Sequence, residues 1–431
     1  MDAIKKEMRA VDPAFNILEE GAADPVGHAW IRCHLIFDVK MDFTRKARFV
    51  AGGHMTEPPS SITYASVVSR ESVRIAFMLA SLNELNLLAA DIGNAYLNAP
   101  CREKIWITCG PEFGEFQGQK AIIVRALYGL KSSGAAWRAH LAETLRDSLQ
   151  FKPCRADQDV WMRPATKADG TEYYEYVLVY TDDILVVSEN PTAILTHLDQ
   201  HYLLKPDSIG EPKVYLGSTI GKYAFESNPT AFKWSMSSKQ YVKEAIRNVK
   251  TWLEDRDAKL KTKAPSVFPS GYAPEMDTSN YCDDEDANYY MQQIGVLRWA
   301  VELGRIDICA EVSMLASFSA APRRGHLDAV MHMFAYLNSH PRSRLVFDDS
   351  YVNFPEEPRP DWQDSYPDAK EQIPADMPAP RGKAVQQTVF IDADHAGDKV
   401  TRRSRTGVLI YLNRSPILWF SKKQNSIETS T

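Results

Sequence analysis

The stretch Glu175-Tyr176-Val177-Leu178-Val179-Tyr180-Thr181-Asp182-Asp183-Ile184-Leu185-Val186-Val187-Ser188 decides the fold. Val177, Leu178 and Val179 lead into the two acids, and Ile184, Leu185, Val186 and Val187 lead out. Both flanks are rich in β-branched residues, which predicts two short buried strands. The carboxylates of Asp182 and Asp183 then fall at the tip of a hairpin. Adjacent ionised carboxylates repel each other, and a divalent cation between them relieves the repulsion. An Asp-Asp turn is also common between strands, so this segment alone supports either reading.

A second segment separates the two. In Leu87-Leu88-Ala89-Ala90-Asp91-Ile92-Gly93-Asn94-Ala95-Tyr96-Leu97, one acid ends another apolar stretch. Two-metal phosphoryl transfer needs carboxylates from separate strands, holding two ions roughly 3.5–4 Å apart. One Asp on a strand and an Asp pair on a neighbouring hairpin meet that need. The D-I-G-N-A-Y-L and Y-T-D-D segments, in that order, resemble motifs A and C of a reverse transcriptase palm.

Residues further out narrow the resemblance to the copia-type LTR retrotransposons. K-A-R-F-V-A-G-G at residues 46–53 is similar to their fingers motif, and A-L-Y-G-L-K-S-S-G-A-A-W at residues 126–137 to their S-L-Y-G-L-K-Q-A-P-R-A-W block. Tyr215-Leu216-Gly217 resembles the primer-grip segment. D-A-D-H-A-G at residues 392–397, R-R-S-R-T-G at 402–407 and W-F-S-K-K-Q at 419–424 resemble the opening of a fused ribonuclease H domain. The resemblance covers nearly the whole chain.

It implies an α+β, right-hand polymerase fold: fingers, a palm of antiparallel sheet and helices, and the start of a thumb over residues 1–250. A linker (251–286), a helical connection (287–345), a Pro-rich acidic linker (346–384) and a partial ribonuclease H-like α/β domain (385–431) are expected to follow. The implied activity is RNA-directed DNA polymerisation, with an RNA template, a DNA primer and dNTPs as partners, in cytoplasmic particles. Asp91, Asp182 and Asp183 are the expected catalytic ligands of Mg²⁺, for which Mn²⁺ can substitute. One ion would lower the pKa of the primer 3′-hydroxyl and the other would neutralise the leaving pyrophosphate. The resemblance adds the backbone carbonyl of Ile92 as a further oxygen, with Tyr180 beside the acids and Leu216 and Gly217 at the primer. It also makes Tyr96 the aromatic that packs under the sugar and blocks a 2′-hydroxyl; a core tyrosine at a strand end is the other reading. Lys46 and Arg48 both have the charge to hold a triphosphate. Gly129 and Lys131 would lie near the templating base and incoming nucleotide, where Ser132-Ser133-Gly134 departs from the family's Gln-Ala-Pro.

Composition sets the bounds. A chain of 431 residues is too long for one ordinary core. No apolar run approaches the roughly 20 residues that cross a bilayer, so no membrane partner is expected. The amino terminus is a charged helix start without the apolar core of a signal peptide. Six scattered cysteines without a C-x-x-C pair fit buried thiols. The net charge of −6 argues against a nucleic-acid partner only if distribution is ignored. Basic residues gather at Lys40, Arg45, Lys46 and Arg48, and again at Lys399, Arg402, Arg403, Arg405, Arg414, Lys422 and Lys423. Acid gathers over 282–286 and 348–376. A charge run is more often a solvated face, and these clusters alone do not establish binding.

Apolar spacing predicts helices over residues 71–89, running directly into the Asp91 strand, and over 135–149, with Trp137, Leu141, Leu145 and Leu149 on one core-facing stripe. An amphipathic segment near 192–202, a strand at Tyr215–Gly217 completing a βαββαβ palm, a helix over 238–255 and strongly helical residues over 287–337 follow. His326 and His332 read as ordinary helix residues. Residues 389–431 return to strand patterning. Asp392 stands where the first ribonuclease H ligand would, and the next expected ligand lies beyond the segment Ile427-Glu428-Thr429-Ser430-Thr431. Hybrid cleavage is therefore not expected, and apolar faces such as 408–412 should be poorly covered. No protease triplet, integrase zinc pattern or zinc knuckle appears, so the expected whole is the polymerase side of a polyprotein. Two other readings compete with an active polymerase: an inert element remnant that keeps the fold and binds nucleic acid, and a metal-dependent nuclease built on Asp392.

Overall fold

A computed structural model describes residues 2–39, 45–59, 62–353, 362–370, 372 and 374–427. Lys40, the segment 354–361 of the acidic stretch and the segment 428–431, which includes Glu428, lie outside the described residues. The chain forms two compact units, Met1–Ser69 with Asn86–Glu211, and Arg70–Leu85 with Pro212–Thr431.

The first unit is built on a five-stranded antiparallel sheet. Its order is Asn86–Asp91, Asp183–Ser188, Glu172–Tyr180, Val160–Thr166 and Lys152–Pro153. Glu172–Tyr180 and Asp183–Ser188 are the two apolar flanks of the acid pair, joined as a hairpin. Val177, Leu178, Ile184, Leu185, Val186 and Val187 are all fully buried, as β-branched runs covered on both faces must be. The helix Ser133–Glu143 continues through one wider π-turn, Thr144–Ser148. Trp137, Leu141, Leu145 and Leu149 keep their common stripe and pack on Val177, Val179, Ile184 and Val186 with helix Pro191–Asp199. A second core carries the hairpin Cys33–Val39 with Arg45–Ala51 and a four-stranded sheet. There Phe15, Phe49 and Phe113 meet edge to face at 5.2–5.9 Å.

The second unit contains a four-stranded sheet ordered Val214–Tyr215, Ser218–Phe225, Asn228–Ser237 and Leu345–Val346. Helices Lys239–Glu254, Asp284–Glu302, Cys309–Ala316 and Arg324–Ser339 follow the predicted helical stretches. Tyr215-Leu216-Gly217 differs from expectation: it is not a strand of the palm sheet but the tip of a hairpin in this second sheet. Tyr215 pairs with Ser218 across a two-residue loop in which Leu216 (φ 46°) and Gly217 (φ 85°) are both left-handed, as a type I′ turn demands. The 264–286 stretch is irregular but anchored, with Ala264 buried and the Pro274 carbonyl bonded to the His326 ring at 2.9 Å. His326 is accordingly more than an ordinary helix residue. Its Nδ1 accepts the Arg323 N–H and closes the start of helix Arg324–Ser339.

The helix Arg70–Leu82 belongs to this second unit, although the strand it leads into belongs to the first. Phe77 lies against Trp234 and Phe347, with ring centroids 5.8 and 5.5 Å away. Arg74 is buried under the Trp419 ring at 3.9 Å and donates to the carbonyls of Ile417 and Glu302. Strands Gln387–Ala393, Arg405–Leu412 and Ser415–Lys423 form an antiparallel meander. The first is an edge strand and leaves Phe390 and Ile391 more than half exposed.

Candidate active site

Strand pairing brings two of the three acids together. Asp183 is the direct cross-strand partner of Asp91, so their side chains leave the same face of the sheet, with Cβ atoms about 4.5–5.5 Å apart by the geometry of such pairs. Asp182 sits one residue back, in the two-residue loop closed by the Tyr180–Asp183 pair. Thr181, the other loop residue, holds φ 58°, a conformation that a β-branched residue rarely adopts. Two bonds hold the tip: the Trp137 indole N–H donates to the Thr181 carbonyl at 2.7 Å, and the Ile92 N–H to the Asp182 carbonyl at 2.8 Å.

The segment 203–210 borders the Asp91 strand. Lys205 donates its backbone N–H to the Asp91 carbonyl at 3.0 Å, and its ammonium group pairs with the Asp91 carboxylate. Ser208 Oγ accepts the Asp91 N–H at 2.8 Å. As the side chains stand, no group of three His, Cys, Asp or Glu among the described residues is arranged to hold a metal ion. The chemistry of the donors nevertheless fits a hard divalent cation: they are carboxylate oxygens only, and Lys205 offsets only part of their mutual repulsion. Burial first, then its own backbone opposing and Asp91 reinforcing, leaves the Asp182 carboxyl raised from its ordinary value. Asp183 is pushed up to about 6 by burial and by the neighbouring Asp182 and Asp91, with Lys205 opposing.

Around the acids stand two tyrosines and two cations. Tyr96 and Tyr128 pack with ring centroids 4.8 Å apart, and the Arg48 guanidinium lies 5.9 Å from the Tyr128 ring. Burial and the charge of Asp182 raise both phenols, Tyr128 to about 12. Lys46 and Arg48 alternate with buried Ala47, Phe49 and Ala51 on their strand, so both leave from one face, and the field of Lys46 reaches Asp182. Gly129 (φ 93°) lets two backbones cross: a Cβ there would meet the Ala51 carbonyl at 2.1 Å. Lys131 donates to the Thr56 carbonyl. Ser132 and Ser133, the departure from the family block, are buried and bonded to Glu103 and to the Leu127 carbonyl. Leu216, Gly217 and Asp392 belong to the second unit, where Asp392 is exposed and pairs in register with Gly407.

Sequence reasoning missed Lys205 and Ser208, which sit in a loop without periodicity. It quoted Tyr128 within a motif but gave it no role. Trp137 was read as core packing alone; it packs in the core and also braces the loop.

The register thus sets Asp91 opposite Asp183 on neighbouring strands, with Asp182 in the adjoining loop, which is the arrangement expected of a palm-type polymerase. The sequence pattern of the family described as reverse transcriptase (RNA-dependent DNA polymerase) matches residues 17–250, more than half of the chain, and the chain belongs to that family. Its curated relatives include the retrovirus-related Pol polyprotein from transposon RE1 of Arabidopsis thaliana, 24% identical over 90% of this chain and 23% of that protein. The Pol polyprotein from transposon TNT 1-94 of Nicotiana tabacum is 23% identical over all of this chain and 30% of its own length. The truncated transposon Ty1-A Gag-Pol polyprotein of Saccharomyces cerevisiae is 25% identical over 76% of this chain and 27% of its own length. The reverse transcriptase is thus of the copia type. The chain spans about a quarter of the length of these relatives. A solved foamy viral protease-reverse transcriptase in complex with double-stranded DNA aligns with TM-score 0.47 and 12% identity, over 98% of this chain and 56% of that one. Among the described residues, no helix is long and apolar enough to cross a membrane.

Proposed function

We propose that this chain is an RNA-directed DNA polymerase that adds dNTPs to a DNA primer on an RNA template. The observation that carries the reading is the cross-strand register of Asp91 and Asp183, with Asp182 in the adjoining loop. Asp91, Asp182 and Asp183 would hold Mg²⁺ or Mn²⁺, with the Ile92 carbonyl adding an oxygen. The bound cations would activate the primer hydroxyl and offset the charge of the leaving pyrophosphate.

The remaining residues bind and orient. Lys46 and Arg48, on one face of their strand, supply positive charge for the triphosphate. Tyr96, backed by the Tyr128 ring, offers a flat aromatic wall against which a deoxyribose fits and a 2′-hydroxyl does not. Gly129 and Lys131 keep the 51–56 and 128–131 segments together beside that wall, Tyr180 closes the acid loop, and the Leu216–Gly217 tip would contact the primer. We assign residues 1–250 to the polymerase, 251–286 and 346–384 to linkers, 287–345 to a helical connection and 385–431 to part of a ribonuclease H-like domain around Asp392. Primer extension on an RNA template tests the activity. Extension should require Mg²⁺ or Mn²⁺ and vanish in Asp182→Asn; metal-independent extension, or a fully active variant, would sink the assignment.

A further inference from the structure

Lys205 places its own cation on the acid cluster. The base of its side chain is fixed. The Lys205 N–H is bonded to the Asp91 carbonyl, Leu204 bridges Ile92, and Gly210 pairs with Ala89 in both directions at 2.8 and 3.2 Å. Ser208 ties the two segments again: its hydroxyl accepts the Asp91 N–H and donates to the Lys205 carbonyl at 2.7 Å. The ammonium end is different. It rests on Asp91 Oδ1, yet the Lys205 side chain is 51% exposed and that of Asp91 28%. The ammonium can therefore turn out into water without breaking any of the backbone bonds that hold its base.

We propose that Lys205 is the resident counter-ion of the Asp91–Asp182–Asp183 cluster, and that a divalent cation enters by displacing its ammonium group from Asp91. This inference rests on the reading of the three acids as metal ligands. An ammonium and a divalent cation cannot share one carboxylate oxygen without strong like-charge repulsion. Lys205 therefore competes with the metal and lowers its affinity, while offsetting part of the mutual repulsion of the carboxylates. The field of Lys205 reaches both Asp182 and Asp183, so its influence extends over the whole cluster. A surface ion pair with no such role contributes little and would leave metal affinity unmoved.

Mn²⁺ is the probe, with free ion counted by its paramagnetic resonance signal, in the parent, Lys205→Met, Lys205→Arg and the double variant Asp182→Asn/Asp183→Asn. Lys205→Met should bind Mn²⁺ about three- to tenfold tighter than the parent, as removal of one nearby screened charge implies. Lys205→Arg should stay near the parent. Without metal, Lys205→Met should also melt lower than the parent, and Mn²⁺ should restore it. Lys205→Gln replaces the Met variant if circular dichroism shows that variant unfolded. Equal or weaker binding in the neutral variants, with the double Asp variant unable to bind, overturns the counter-ion role and leaves the metal site standing. Parent-like binding by the double Asp variant, or no binding by any of the four, overturns the metal site and the counter-ion role together.

Discussion

Trp137 donates its indole N–H to the carbonyl of Thr181, across 44 residues of sequence, and so fastens the Ser133–Glu143 helix to the loop that carries Asp182. Thr181 is the one loop residue in a left-handed conformation, and the bond holds it there. Trp137→Phe should keep most of the packing and lose the bond, at about 1–2 kcal/mol. Extension should slow roughly tenfold or more as the acid moves. Thermal melting and single-turnover extension measured together check this; unchanged turnover would limit Trp137 to core filling.

Asp183 makes stability depend on pH in a definite direction. Its carboxyl rises from an ordinary 3.8 to about 6 in the folded chain, because burial and its acidic neighbours disfavour the charge. The folded state therefore holds the proton more tightly than the unfolded one, and stability falls as pH rises from about 4 to about 6. Asp183→Asn removes that penalty. It should stabilise the metal-free chain by about 1 kcal/mol at pH 7.5, after discounting for solvent screening, and do almost nothing at pH 3.5. Equal effects at both pH values would contradict it.

Tyr96→Val should admit ribonucleotides by opening the wall beneath the sugar. Tyr128→Ala should give a weaker effect of the same sign, since it removes the ring packed on Tyr96 rather than the wall itself. The readout is the ratio of ribonucleotide to deoxyribonucleotide incorporation, which should rise at least about tenfold for Tyr96→Val, a change on the order of 1.4 kcal/mol. An unchanged ratio with normal extension returns Tyr96 to the core.

Gly129→Ala should fail to fold at 37 °C. The added Cβ would lie 2.1 Å from the Ala51 carbonyl and 2.7 Å from Val50 Cγ1, at a φ of 93° that alanine avoids. Backbone, not a flexible side chain, would have to give way, and a cost of several kcal/mol is expected. Soluble expression and melting against the parent check it.

The Asp182–Asp183 hairpin could be read from the sequence because its cause is local: two β-branched runs around a polar pair leave few other folds. The Trp137–Leu149 stripe was legible for the same reason, since helical spacing alone fixes which side chains share a face. Tyr215–Gly217 misled because three residues do not reveal their partner sheet; pairing of Asn228–Ser237 with Leu345–Val346 joins segments far apart in sequence. Lys205 was invisible on similar grounds. Its partner Asp91 lies 114 residues away, and nothing in the loop around it signals that contact.

The helix Arg70–Leu82 has a consequence for modularity. The chain leaves the first unit after Ser69, gives one helix to the second, and returns at Asn86. The family match ends at residue 250, but Phe347 and Trp419, which cover Phe77 and Arg74, come later in the chain. A shortened protein ending at Lys250 would keep every acid of the candidate site and still leave the 70–82 helix with a bare aromatic and a cation stripped of its ring and carbonyl partners. The segment matched by the family pattern thus lacks part of its own packing. Recombination that swaps a polymerase segment between elements at that boundary would part Phe77 and Arg74 from the residues that cover them.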